Sequence, residues 1–290
     1  WNAVRFTLNH VETGSVPAGG GYPANPGPID RWILARLGQT IAEYDRLLDE
    51  YRFSDAVGQL YNFAWSEVFD WYLEMAKTSL RDPDRAVATK QTLGVVVRDL
   101  LALFHPVIPY VTEELWGELV GDGLVAATTW PTPVAVDAPD GIEELQALIV
   151  AIRRFRAEHG LSPKREIEVF IDDPEGIASD WWKDQVGVMA RVAATYDGPP
   201  ATVAGHTRVT AGKLQAFIPL AGLVDVEAER PRLQKAITEV EALLGRSQAK
   251  LDNPNFAERA PADVVASEQD KAKELSAKLE KLRTQLSELD

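Results

Sequence analysis

Two apolar seams near the end of the chain restrict its fold more than any other feature. Leu233, Ile237, Val240, Leu244, Ser247 and Leu251 step by four and three residues in turn, and Ala272, Leu275, Leu279, Leu282, Leu286 and Leu289 by three and four. Both stripes have charged flanks, the a/d pattern of helices that bury a narrow strip against a partner helix. Asn253-Pro254-Asn255 and Ala260-Pro261 separate them, and proline there interrupts a helix. Residues 223–290 are therefore predicted to form an antiparallel coiled-coil hairpin, each arm of ~19 residues reaching ~28 Å at ~1.5 Å per residue. Pro231 is expected in the first turn of the first arm.

The first half has a different period. Residues 1–10 read as the end of a helix, followed by a Gly/Pro-rich stretch over 11–29 that composition marks as a mobile loop. Asp30 is expected to cap a helix bearing Ile33, Leu34, Leu37, Ile41, Tyr44 and Leu48. Ser54 is expected to cap the next, whose stripe runs Val57, Leu60, Tyr61, Ala64, Trp65, Val68, Tyr72 and Met75. A third helix follows Asp82-Pro83-Asp84, and His105-Pro106 stops it before a short one ending near Val120. Long helices with short connections predict an antiparallel helical bundle over 1–141.

After a loop at 121–141 the pattern changes again. Ile142 to Phe155 has helical spacing, Glu166 to Ile171 alternates as a strand, and Trp181 to Arg191 is helical. Val192–Tyr196 and a hairpin turning at Ala211-Gly212 complete a small α+β unit over 142–222. The fold class is mainly α, in three units, as 290 residues lead one to expect. The chain opens on Trp1, inside a predicted helix, and is expected to be a piece of something longer.

Composition removes several functions. Without cysteine there is no disulfide, thiol nucleophile or thiolate-ligated zinc site. No apolar run reaches the ~18 residues of a membrane span. With no signal-like stretch at the start, the cytoplasm is the default expectation. The net charge of −14 is the wrong sign for a simple nucleic-acid binder, but it is unevenly spread. Residues 1–142 hold 10 basic and 19 acidic side chains, residues 143–224 hold 9 and 11, and residues 225–290 hold 11 and 14. A polyanion would have to be met by local patches. The clearest is 153–165, where Arg153, Arg154, Arg156, Lys164 and Arg165 against Glu158 sum to +4. Arginine forks there can take phosphate oxygens, or they form a solvated face balanced by nearby acids.

Catalytic patterns are missing: no GxGxxG, P-loop, GxSxG or HExxH occurs, and no two of the four histidines are spaced i, i+4. Glu113-Glu114 point about 100° apart on a helix, so they do not make a working carboxylate pair. Trp65, Phe69, Trp71 and Tyr72 can be read as a base-stacking platform, although at helical spacing the bundle core is the commoner place for such a stripe.

Four segments of the first half carry a family resemblance. Trp1-Asn2-Ala3-Val4-Arg5-Phe6 resembles the entry to the anticodon-binding domain of class I aminoacyl-tRNA synthetases. Asp30-Arg31-Trp32-Ile33-Leu34 looks like the opening of their next helix, Trp65-Ser66-Glu67-Val68-Phe69-Asp70-Trp71-Tyr72-Leu73-Glu74-Met75-Ala76-Lys77 is similar to their second long helix, and His105-Pro106 through Trp116 to their HPxxPxxTEExW signature. That signature belongs to the valine, isoleucine and leucine group. Isoleucine enzymes often end in a cysteine zinc module, whereas Leu223–Glu227 and Asn255–Val265 resemble the start and tip of the valine branch's coiled-coil arm. Two departures are Pro231, where the family usually continues a helix, and a longer Gly/Pro loop.

The resemblance implies a parent that uses ATP and Mg to join valine to its tRNA. The HIGH- and KMSKS-type ATP signatures and the editing domain have no match here. It thus implies a binding piece, inactive alone, that holds neither cofactor nor metal. Its expected partners are tRNA(Val) and the catalytic part of its own chain, not DNA or a membrane. Candidate tRNA contacts are Arg153, Arg154, Arg156, Lys164, Arg165, Lys235, Arg246, Lys250 and Arg259. A coiled-coil module without RNA, or an isoleucine or leucine relative, remains an alternative.

Overall fold

The computed structural model describes residues 1–121, 123–162, 164–223, 226–253 and 261–288. They are mainly helical with one small sheet, and divide into two compact units, Trp1–Ile142 and Glu143–Asp290.

The first unit contains α1 (Asn2–Leu8), α2 (Pro28–Asp49), α3 (Phe53–Asn62), a π-helical stretch (Phe63–Tyr72), α4 (Leu73–Ser79), α5 (Pro83–Phe104) and α6 (Pro109–Leu119). Ile33, Leu37 and Ile41 of α2, Leu60, Val68 and Met75, and Leu93 and Val96 of α5 are buried as their spacing predicts. At α5, Asp82 is the N-cap and accepts from the Asp84 amide at 3.0 Å. The other expected caps are different. Helix α2 starts at Pro28 with Gly27 as N-cap, and Asp30 is fully buried in the first turn. Its carboxylate accepts from Tyr72 Oη at 2.7 Å and Thr89 Oγ1 at 2.8 Å, so it joins three helices. Burial raises its pKa above the ordinary carboxylate value. Helix α3 begins at Phe53, one residue before Ser54, whose side chain does not cap it.

From Phe63 the helix continues with wider turns, and the Leu73 amide closes on the Val68 carbonyl, five residues back. Arg36 braces this stretch against α2 through paired bonds to Glu67 at 2.6 and 2.8 Å.

The Gly/Pro-rich segment has no regular structure, but it is tied down where a mobile loop was expected. Arg98, buried beside Asp99 at 2.6 Å, donates to the carbonyls of Pro17 and Gly20 at 2.9 and 2.6 Å. Tyr22 Oη donates to Asp99 at 2.8 Å, and Val16 is buried against α5 at Gly94. Carbonyls freed by the absence of secondary structure are thus satisfied by one guanidinium.

In the second unit α7 (Ile142–Glu158) and α8 (Asp180–Ala190) accompany β1 (Ile167–Asp172), β2 (Val192–Asp197), β3 (His206–Ala211) and β4 (Leu214–Pro219). The strand order is β2-β1-β4-β3. β1 and β2 are parallel across the α8 crossover, and β4 is antiparallel to β1 and β3. The β3–β4 hairpin turns at Gly212-Lys213, and Gly212 has the φ of +60° that favours glycine.

Two long helices follow, α9 (Val226–Leu251) and α10 (Ala262–Glu288). They meet along the predicted seam, where Ile237, Val240 and Leu279 are buried among Leu244, Leu275, Leu282 and Leu286. Pro231 lies inside α9 and not in its first turn, so the helix accommodates one missing donor. Of the expected tip at 255–265, residues 255–260 lie outside the described residues, as does Leu289, and residues 262–265 open α10.

Candidate nucleic-acid interface

The basic run of the second unit separates into distinct roles. Arg154 is exposed on α7 and donates to Glu158 at 3.0 Å, one turn on. Arg153 is also exposed, but its Nε donates to the Met189 carbonyl at 2.9 Å in the last turn of α8, where a cation complements the helix dipole. Arg156 differs most from the expectation of a phosphate contact. It is only 7% exposed, and its guanidinium bonds the carbonyls of Ser162 at 2.9 Å, Arg191 at 3.3 Å and Arg165. Burial, then the charge of Arg191, lowers its pKa. Arg156 therefore shapes the loop that carries Lys164 and Arg165 and is not itself offered to a ligand. Both of those are exposed; Arg165 also donates to the Gly222 carbonyl at 2.8 Å.

On α9, Lys235, Arg246 and Lys250 are exposed. Lys250 pairs with Glu268 of α10 at 2.8 Å, and Ser247 Oγ donates to the same carboxylate at 2.7 Å. Those bonds, led by Lys250, hold Glu268 below the ordinary carboxylate range. Across the other end of the seam Arg283 donates to Glu241 at 2.7 Å. Arg259 lies outside the described residues.

Among these cations Arg154 borders a groove of about 640 Å³ between α7, β3 and α10, with Glu158, His159, Thr210, Thr284 and Gln285 also on its walls. Arg208, which the charge count did not single out, is exposed on β3 beside it. A lone arginine on a strand has no run to mark it in sequence.

In the first unit His105 and Glu113 of the 105–116 segment make structural bonds, and Glu114 is exposed. His105 Nδ1 lies 2.9 Å from Thr112 Oγ1, and Glu113 accepts from the Val125 amide at 3.1 Å. The aromatic stripe divides: Tyr72 is buried, Phe69 and Trp71 are half-buried, and Trp65 is exposed. Trp65 stacks on Tyr61, their centroids 5.9 Å apart and their planes 14° from parallel. Spacing places Tyr61 on one stripe with Leu60 and Val68, but it faces outward; the repeated four-residue step from Val57 through Tyr61 and Trp65 to Phe69 is the signal that a second face exists.

Two family matches follow one another along the chain, with Arg208 and β3 lying between them. Residues 30–171 match the anticodon-binding domain of tRNA ligases, and residues 225–290 match the valyl tRNA synthetase tRNA binding arm. The chain is thus of the tRNA ligase class. It is 35% identical over 295 residues to a valine–tRNA ligase of Nocardia farcinica, with all of this chain and 33% of the relative covered. A valine–tRNA ligase of Geobacter sulfurreducens is 36% identical over 302 residues, with 100% and 34% covered. One from Streptomyces coelicolor is 35% identical over 295 residues, with 97% and 33% covered. The chain belongs to the valine–tRNA ligase family and spans about a third of the length of the curated relatives it matches.

Proposed function

We propose that this chain is the tRNA-holding part of a valine–tRNA ligase, acting on tRNA(Val). The observation that carries this reading is the succession of an anticodon-binding match and a valyl-specific arm match in one polypeptide. In it, a helical bundle over 1–141 takes the anticodon stem-loop. A small α+β unit over 142–222 follows, and a coiled-coil hairpin over 223–290 takes the outer corner of the tRNA. Unpaired RNA is bound by stacking and by phosphate contacts, so exposed arginines and lysines carry the affinity. Arg153, Arg154, Lys164, Arg165, Lys235, Arg246 and Lys250 are the cations offered for that purpose.

Activation of valine with ATP and Mg belongs to the catalytic part of the synthetase, and this chain by itself is inactive. The cytoplasm is the compartment where it works; among the described residues no helix is long and apolar enough to cross a membrane.

Filter binding with the tRNAs for valine, isoleucine and leucine tests this. The valine tRNA is expected to compete best, and ATP–pyrophosphate exchange with valine is expected to be absent. With about four phosphates neutralised, log affinity falls against log salt with a slope of roughly −3 to −4. Changing Arg154, Lys164 and Arg246 together to glutamine is expected to flatten that slope, and Arg81→Gln to leave it unchanged. No measurable tRNA binding would overturn the reading.

A further inference from the structure

Along the seam of α9 and α10 one layer breaks the apolar repeat. Ser247 of α9 stands on the seam, and so does Glu268 of α10, four residues before Ala272. Both are buried, at 2% and 9% exposure. Ser247 Oγ donates to one carboxylate oxygen of Glu268 at 2.7 Å, and Lys250 Nζ donates to the other at 2.8 Å. Lys271 Nζ lies 3.8 Å from the first of these oxygens.

A buried carboxylate is a poor source of stability. Its desolvation is offset only when donors surround it, and an apolar layer of the same volume holds two helices at least as well. What a single polar layer supplies in a coiled coil is register. The rest of this seam does not supply it. Leu233, Ile237, Val240 and Leu244 step by four, three and four, and so do Leu275, Leu279, Leu282 and Leu286. Sliding one helix past the other by seven residues therefore sets apolar side chains against one another again. The connection over 252–261 is longer than the roughly two to five residues of tight helical hairpins, whose loops dictate alignment. The Arg283–Glu241 pair is exposed on both sides, and such pairs contribute little.

Glu268 is what tells these alignments apart. One slip brings Leu275 to Ser247, leaves that hydroxyl facing a leucine, and carries the carboxylate past Lys250. The opposite slip puts the carboxylate in the place of Leu275, among Val240 and Leu244. Either one leaves a polar group without the partner it has now.

We propose that Glu268, held by Ser247 and Lys250, is the register lock of the helical pair, selecting one alignment of α9 on α10 at a cost in stability. Alignment decides which cations of the two helices lie together. Here Lys250 of α9 and Lys271 of α10 meet at one carboxylate, so the lock also sets the pattern of charge that the pair presents.

The chain has no cysteine, so Gln234→Cys with Lys273→Cys, both exposed positions, places one spin label on each helix without background. Pulsed electron spin resonance on the whole chain is expected to give a single distance between the labels. Adding Ser247→Leu and Glu268→Leu is expected to bring in a second distance of comparable population, displaced by one heptad, or about 10 Å along the axis. This variant should keep its helicity by circular dichroism and melt no lower than the labelled parent, since leucine in place of a buried ionic layer is neutral or stabilising. Glu268→Ala, which removes the carboxylate without adding apolar bulk, is expected to show the same second distance with a lower melting point. Arg283→Gln with Glu241→Gln is expected to keep the single distance.

A single unshifted distance in the leucine variant with its helices intact would overturn the proposal, and so would a single distance in Glu268→Ala. A second distance in the Arg283 and Glu241 variant would also overturn it, giving the lock to the surface pair.

Discussion

The helices of the first unit and the paired helices α9 and α10 follow the same hydrophobic rules but bury very different amounts of surface. Helix α5 is in contact with α1, α2, α3, α4 and α6, and a continuous run from Thr92 to Leu103 is buried. On α9 and α10, buried apolar side chains are limited among the described residues to Leu233, Ile237, Val240 and Leu279. A helix surrounded by neighbours is held by the whole core, whereas a helix with one seam depends on its partner. Local opening should therefore be easiest along that seam.

Hydrogen exchange gives the largest expected effect. Amides around Val68 should exchange at least about 10³-fold more slowly than those around Leu279, because the former need the unit's core to unfold. Equal protection would erase the contrast between the two regions.

The next effect concerns the buried charge in the first unit. Asp99→Ala leaves Arg98 buried without its carboxylate and should cost about 3–5 kcal/mol in denaturant unfolding. A loss below about 1 kcal/mol would mean that water reaches the guanidinium.

Gly94→Ala is smaller, and its sign is informative. An added Cβ would lie 2.8 Å from Val16 Cγ2, so a segment fixed in place should make the change destabilising by about 1–3 kcal/mol. Were residues 11–28 free to move away, alanine in mid-helix would instead stabilise by about 1 kcal/mol.

The pH response should divide the regions in direction. Glu268 has a lowered pKa, so its contribution to the α9–α10 pair is present above the ordinary carboxylate value and lost as pH falls through the folded value. Asp30 and Asp99 have pKa values raised by burial. They take up protons more readily folded than unfolded, so their contribution improves as pH falls through their folded values. Mild acid should thus lower the protection of amides near Glu268, relative to their intrinsic exchange rates, while leaving Val68 protected. The reverse order would contradict the assigned bonds.

Much of the helix and strand order was legible because it depends on period. The seam of Ile237, Val240 and Leu279 and the alternation at Val169 and Ile171 can be read without knowing any partner. The face of a helix cannot always be read so. From residue 56 to 69 the chain carries two apolar stripes, and spacing alone does not show that Leu60 and Val68 turn inward while Tyr61 and Trp65 turn outward. Nor does sequence distinguish an arginine offered to solvent from one folded among carbonyls. Arg154 and Arg156 are two residues apart in one basic run, and only the loop and Arg191 brought to it by folding make Arg156 structural. The same reason hid the clasp of Arg98 on the Gly/Pro segment: its acceptors are backbone oxygens about 80 residues away.

The π-helical stretch at Phe63–Tyr72 has a consequence for how this helix tolerates changes in length. Its wider turns hold more residues for the same rise than an α-helix would. Removing one residue within it can be absorbed by tightening to ordinary turns, leaving Met75 and Ala76 facing the core. The same deletion in Phe53–Asn62 has no slack to draw on. It would rotate everything beyond it by about 100° and turn Val68 and Tyr72 out of the interior. Natural variation in length along this helix should therefore concentrate in those ten residues.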